Sequence, residues 1–167
     1  MASTYTPIAS YTVPSAAASY TFTSIPQTYT DLVLTMNTVP NGTGGGTFLI
    51  NNDTSSNYSD TVIAGLDSTG YAISYRGTDL SAGQWLSSGA ALTDANNTHF
   101  TVMHFMNYSN SSVYKTIISK EHPGQFGYVG AWISMWRSTS AITSITLQLS
   151  SSFGTGTTFT LHGIKVA

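Results

Sequence analysis

The sequence has no cysteine and very few charged residues. Without cysteine the chain can form neither a disulfide nor a thiolate metal site, which fits assembly in a reducing cytoplasm. Charged residues make up 7% of the 167 residues, whereas roughly 25% is usual for a soluble domain. The polar surface must therefore consist mainly of Ser, Thr, Asn and Gly, and it offers little electrostatic repulsion between copies packed in an assembly.

Clustered cations and long apolar runs are also missing. The five cationic residues are scattered along the chain and the net charge is -2, so we expect no nucleic-acid partner, because phosphate binding needs clustered cations. No apolar run approaches the roughly 18 residues of a membrane-spanning helix. Residues 1–5 lack the charged and apolar regions of a signal peptide. We therefore expect a protein made in the cytoplasm, without a membrane partner.

What the sequence does contain favours β-strands. Hydrophobic residues make up 41% and aromatic residues 12%, enough to build a core. Thr, Ser, Val, Ile and Tyr are common and favour strands, while the only alanine cluster is too short for a normal helix. Apolar and polar residues alternate with a period of two in several segments. The strand candidates are residues 8–13, 19–23, 31–37, 47–51, 61–66, 71–76, 98–106, 113–120, 127–136, 143–149 and 157–166.

These strands predict an all-β fold: a single-domain antiparallel β-sandwich, jelly-roll-like, spanning residues 1–167. Residues 1–15 are a candidate extended N-terminal arm. Both faces of the candidate at 98–106 are mainly apolar, which indicates a central strand or one buried at an interface. The residues predicted to form the core are Tyr29, Leu32, Leu34, Ile145, Leu147, Phe159 and Leu161.

No motif in the sequence points to catalysis or to a cofactor. The Gly-rich segment 42–46 is not followed by the Lys-Ser/Thr of a phosphate loop. The histidines are dispersed, and five-residue spacing places His99 and His104 on opposite faces of a strand. The serines lack the Gly-x-Ser-x-Gly elbow of a hydrolase. We therefore expect no enzyme activity, no catalytic residues, no metal and no cofactor.

The three tryptophans and one tyrosine are the candidate site residues. Trp132 and Trp136 share a face if residues 127–136 form a strand, with Tyr128 beside them, and Trp85 lies elsewhere in the chain. Such rings can stack on sugars, pack at a subunit interface or fill a core, and core or interface packing is the commoner role. The sequence leaves these alternatives open.

Several segments resemble a family of small structural proteins of tailed phages, common among aquatic and cyanobacterial phages. The most specific is Ser-Ile-Pro-Gln-Thr-Tyr-Thr-Asp-Leu at residues 24–32. Others lie at residues 5–12, 57–59 and 136–147, and in the segment Gly-Thr-Thr-Phe-Thr-Leu-His-Gly-Ile-Lys at 156–165. The resemblance covers nearly the whole chain, and it implies a component of the virion without fixing its position on the particle. We expect a protein of the virion surface that is made in the host cytoplasm.

Within that resemblance, a capsid decoration or cement protein that stabilises the shell is the leading expectation. Its expected partners are copies of itself, as a trimer or dimer, and a major capsid protein. The alternative is a tail- or fibre-associated carbohydrate-binding module for host adsorption, in which the tryptophans would stack on a host surface glycan.

Overall fold

The computed structural model describes residues 4–39, 41–66, 72–86, 98–123 and 128–165. Strands account for 64% of the structure, and the described residues include no helix. None of them therefore forms a helix able to cross a membrane. The twelve strands are β1 (Tyr5–Thr12), β2 (Ala17–Phe22), β3 (Asp31–Thr38), β4 (Gly46–Ile50), β5 (Tyr58–Leu66), β6 (Ala72–Leu80), β7 (Gly83–Leu86), β8 (His99–Met106), β9 (Lys115–Pro123), β10 (Tyr128–Trp136), β11 (Ile145–Phe153) and β12 (Thr158–Ile164).

The strands form two antiparallel sheets that pack against each other as a β-sandwich, as predicted. The larger sheet has the order β1-β12-β3-β8-β9-β10-β5-β6, and the smaller has the order β2-β11-β4-β7. Along the chain, β1 to β4 alternate between the two sheets, and β7, β8, β11 and β12 complete the pattern. Eight strands connected in this way form the two interlocked Greek keys of a jelly roll.

Two additional strand pairs extend the larger sheet beyond that jelly roll. The pair β5 and β6 is inserted between β4 and β7, and the pair β9 and β10 is inserted between β8 and β11. All four strands add to the same side of β8. The 98–106 candidate is therefore a central strand, which confirms one of the two alternatives for it.

The core lies between the sheets and is rich in aromatic contacts. Phe48 of β4 meets Phe105 of β8 edge to face, with ring centroids 6.0 Å apart. Phe153 of β11 meets Phe159 of β12 in the same way at 4.9 Å. Pairs of this kind stabilise beyond the area they bury, so they help to hold the two sheets together.

The predicted core set is confirmed with one exception. Leu32, Leu34, Ile145, Leu147, Phe159 and Leu161 are fully buried. Tyr29 is only partly buried and packs against the edge of the core.

The candidate N-terminal arm at residues 1–15 is wrong for most of its length. Tyr5–Thr12 forms edge strand β1, which pairs antiparallel with β12 from Tyr5↔Ile164 to Thr12↔Thr158. Val13 continues the contact, since its amide donates to the carbonyl of Thr157 at 2.8 Å. Alternating small and apolar residues let this segment join the sheet, which satisfies its backbone groups.

Candidate functional site

The outer face of the small sheet is polar but carries no charge. Thr21 of β2 and Thr146 of β11 lie opposite each other with their hydroxyl oxygens 2.9 Å apart. Thr47 of β4 donates its hydroxyl to the side-chain carbonyl of Gln148 at 3.4 Å. Hydroxyl and amide groups of this kind are well solvated, so this face suits contact with water.

The outer face of the large sheet is different, because aliphatic and aromatic side chains point into solvent there. We call this surface the apolar face and define it by the exposed residues Ile63, Phe100, Val129, Ile133 and Met135. Their side chains remain 62%, 53%, 61%, 50% and 37% exposed respectively. All five lie on β5, β8 and β10, and single soluble chains rarely leave such residues grouped without a partner.

The strand register makes the apolar face continuous. Ile133 of β10 lies opposite Ile118 of β9 on one side and Thr61 of β5 on the other. One row further along, Ala131 of β10 lies opposite Ile63. Side chains directly opposite on the same face of a sheet are in contact range. Apolar side chains of β9, β10 and β5 therefore adjoin one another across three neighbouring strands, and Phe100 lies on the next strand, β8, opposite His122.

A shallow depression lies at the β6 side of the apolar face. Its lining includes Ile133 and Met135, the hydroxyls of Ser59 and Thr61, and the Arg76 side chain. Arg76 is exposed and lies opposite Thr61 in the β5–β6 pairing. The depression is therefore lined by apolar side chains, by hydroxyl-bearing residues and by one cationic residue.

The cations of the chain fall into two groups. Lys115 is buried, and its ammonium donates to the carbonyls of Asn110, Val113 and Thr139 at 2.5–3.1 Å. This ties the β8–β9 loop to the β10–β11 loop. Burial also lowers the pKa of Lys115.

Arg137 and Lys165 are also engaged within the chain. The Arg137 guanidinium contacts Asp79 at 2.6 Å, and the Lys165 ammonium lies 5.5 Å from the centre of the Tyr29 ring. Lys120 and Arg76 are the exposed cations on the apolar face. Lys120 lies in its middle, opposite Val102 of β8 and Ala131 of β10.

One acid and one histidine border the apolar face on the β3 side. The Asp31 carboxylate contacts His104 Nε2 at 3.1 Å. Its other oxygen accepts the Asn107 amide at 2.6 Å. Both oxygens of Asp31 therefore already have partners within the chain.

The three candidate tryptophans are buried inside the chain, and this excludes two of the alternatives left open for them, a glycan platform and a subunit interface. Trp85, Trp132 and Trp136 are at most 2% exposed. Each indole N–H donates internally: Trp85 to the carbonyl of Thr47 at 2.9 Å, Trp132 to Glu121 at 2.9 Å and Trp136 to Asp53 at 2.7 Å. A buried indole needs such a partner, and core packing is the alternative that the structure confirms.

Trp132 and Trp136 do share one face of β10, as their spacing predicted. That face is the inner one, which also holds Ser134, whereas Ile133 and Met135 point outward. Tyr128 begins β10 and pairs with Leu66 through the backbone, but its side chain lies outside the described part of the chain.

The segment most specific to the phage resemblance is a structural loop. The side-chain amide of Gln27 donates to the carbonyls of Ile25 and Ile142 at 2.8 and 2.9 Å. The Tyr108 hydroxyl donates to the carbonyl of Pro26. These contacts join the β2–β3 loop to the loops after β8 and β10. The segment therefore stabilises one end of the sandwich.

Buried ionisable groups occur on the inner face of the large sheet. Burial raises the pKa of Asp60 to about 6, even though the Gln84 amide donates to its carboxylate at 3.0 Å. Burial, with the nearby His122 charge, lowers the pKa of His99 to about 4. Within the described ranges no three His, Cys, Asp or Glu residues converge in a way that could hold a metal ion.

Sequence reasoning missed the apolar face because it followed the aromatic residues. The signal was present: Val129, Ile133 and Met135 alternate with the tryptophans, so both faces of this strand are apolar. No protein-family model matches the chain, and no curated protein matches it either. The phage resemblance accordingly stays a prediction.

Proposed function

We propose that this chain is a non-enzymatic structural protein of a phage virion, a capsid decoration or cement protein that binds the shell and stabilises it. The apolar face is the observation that supports the proposal. It lies on a hydrogen-bonded sheet, so binding through it requires little ordering of the chain, and ordering is a main cost of association. A preformed surface of this kind suits repeated docking on a lattice.

The outer face of the small sheet supports docking through the apolar face. The uncharged hydroxyl and amide face of the small sheet would point to solvent while the apolar face contacts the shell. In that arrangement the protein would add buried area between shell subunits, and that area must be lost before the shell opens. Binding that favours the assembled state stabilises it by mass action.

The alternative, a tail- or fibre-associated carbohydrate-binding module, has lost its main support. Its stacking platform was to be Trp85, Trp132 or Trp136, and these rings are buried. Self-association as a trimer or dimer remains a prediction from the low charge of the chain.

The test compares particles that carry the protein with particles that lack it. We expect both to assemble, but those without the protein should release DNA at a lower temperature, while host adsorption stays nearly the same. Two measurements are needed, a heat-release curve and an adsorption rate. Unchanged heat release together with lost adsorption would overturn the cement proposal and favour the adsorption module.

A further inference from the structure

We propose that the apolar face docks on a different protein of the particle, one that presents an apolar surface with a carboxylate opposite Lys120. This inference rests on the proposed function and names the chemistry of the partner. The surface centre is Lys120, and the exposed apolar residues of β8, β10 and β5 surround it.

Lys120 constrains what can bind there. Its neighbours across the sheet are Val102 and Ala131, and its neighbours on the same face of β9 are Ile118 and His122. A partner that covers these apolar groups also removes the ammonium from water. A desolvated cation is costly unless an anion or several acceptors meet it. A partner carboxylate at this point would satisfy the charge.

Charge complementarity argues against a second copy as the occupant. Asp53 already accepts from Ser55, Asn57 and Trp136. Among the other described carboxylates, Asp60 and Glu121 are buried on the inner face and Asp79 pairs with Arg137.

Asp31, the one described carboxylate that borders the apolar face, has both oxygens engaged. Among the described residues, therefore, no carboxylate lies at the centre of this face, where Lys120 is. Arg76, a second cation on it, has the same sign and would add repulsion between copies.

A rival explanation assigns Lys120 the opposite role. A lysine within an exposed apolar surface can also keep copies apart and prevent association. The two roles differ in the sign of one substitution. Lys120→Met removes the charge and keeps an apolar stem of similar length. The substitution should weaken docking if Lys120 pairs with a carboxylate of the partner. It should strengthen docking if Lys120 only prevents association.

The experiment adds purified protein to particles assembled without it and measures the bound amount against concentration. The variants are Lys120→Met, Lys120→Glu and the control Lys165→Met, which removes an exposed cation just beyond β12. We expect Lys120→Met to weaken binding about 30-fold or more, as for truncation of one partner in a buried charge pair. Lys120→Glu should abolish measurable binding, and Lys165→Met should bind like the unaltered protein.

Two further readouts fix the identity of the occupant. A zero-length carbodiimide cross-link on assembled particles should join Lys120 to an Asp or Glu of another protein. Thermal unfolding should be unchanged in Lys120→Met, because Lys120 is exposed. Binding of Lys120→Met equal to or tighter than that of the unaltered protein, or a cross-link from Lys120 to a second copy, would overturn the inference. Failure of the unaltered protein to bind would instead refute the proposed function.

Discussion

Asp60 is the residue where a single substitution should change how stability depends on pH. Its carboxyl is 1% exposed, and its pKa is about 6, above the ordinary 3.8. The folded state thus holds this proton more tightly than the unfolded state does. Its contribution to stability is complete below pH 4 and is lost as the pH rises through 6. The loss amounts to about 3 kcal/mol.

His99 opposes Asp60 over nearly the same interval. Its pKa is about 4 in the folded state, below the ordinary 6.5, because burial disfavours the imidazolium. Its contribution is complete above pH 6.5 and is lost as the pH falls toward 4, again by about 3 kcal/mol. The two contributions have opposite signs over this interval. We therefore expect the stability of the unaltered protein to change less between pH 4 and pH 6.5 than either group alone would make it change.

Asp60→Asn should remove the pH dependence of stability that Asp60 causes and leave the opposite pH dependence that His99 causes. The amide oxygen of the new side chain can still accept the Gln84 N–H, which now reaches the carboxylate at 3.0 Å. The free energy of unfolding should then rise with pH by about 3 kcal/mol from pH 4 to pH 6.5, measured by urea unfolding at half-unit steps. The control is Asp79→Asn on the same sheet, where the carboxylate is 74% exposed and the curve should follow that of the unaltered protein. Parallel curves for Asp60→Asn and the unaltered protein would refute the reasoning.

Two further predictions concern packing. In Gly46→Ala the new methyl group would meet the Trp85 ring, so we expect a loss of about 1–3 kcal/mol from overpacking. In the matched control Gly65→Ala, nothing lies within 4 Å of the added carbon; equal losses in the two variants would contradict the close approach at Trp85. Leu147→Ala should cost about 2–5 kcal/mol in denaturant unfolding, because Leu147 is fully buried. A loss below about 0.5 kcal/mol would mean that the side chain is not packed as described.

The strands were largely predictable from the sequence because alternation is a local signal. Eleven of the twelve strands that the structure describes coincide with a predicted segment. The exception, β7, has only the four residues Gly83–Leu86 and shows no alternation. Strand β6 extends to Leu80, beyond the predicted end at Arg76, because an edge strand tolerates charged and glycine residues.

The site was less predictable, because alternation does not tell which face is buried. Val129, Ile133 and Met135 are as apolar a set as the tryptophans that alternate with them on β10. What decides between the faces is distant in sequence. Trp136 finds its acceptor in Asp53 and Trp132 in Glu121, so the indoles can be buried with their N–H groups satisfied.

The two inserted strand pairs add residues to both the inner and the outer face of the large sheet. Eight strands already form the two interlocked sheets, and the main core lies largely between them. Strands β5 and β10 add a small separate cluster of Val62, Ala64 and Trp132 on the inner side, and on the outer side they carry four of the five exposed residues of the apolar face. The inserted strands also place Tyr58, Ile117 and Trp136 in the main core, so they contribute core on their inner face and most of the apolar face on their outer one. The two insertions therefore enlarge the core of the jelly roll and supply four of the five residues of the surface that we propose for docking.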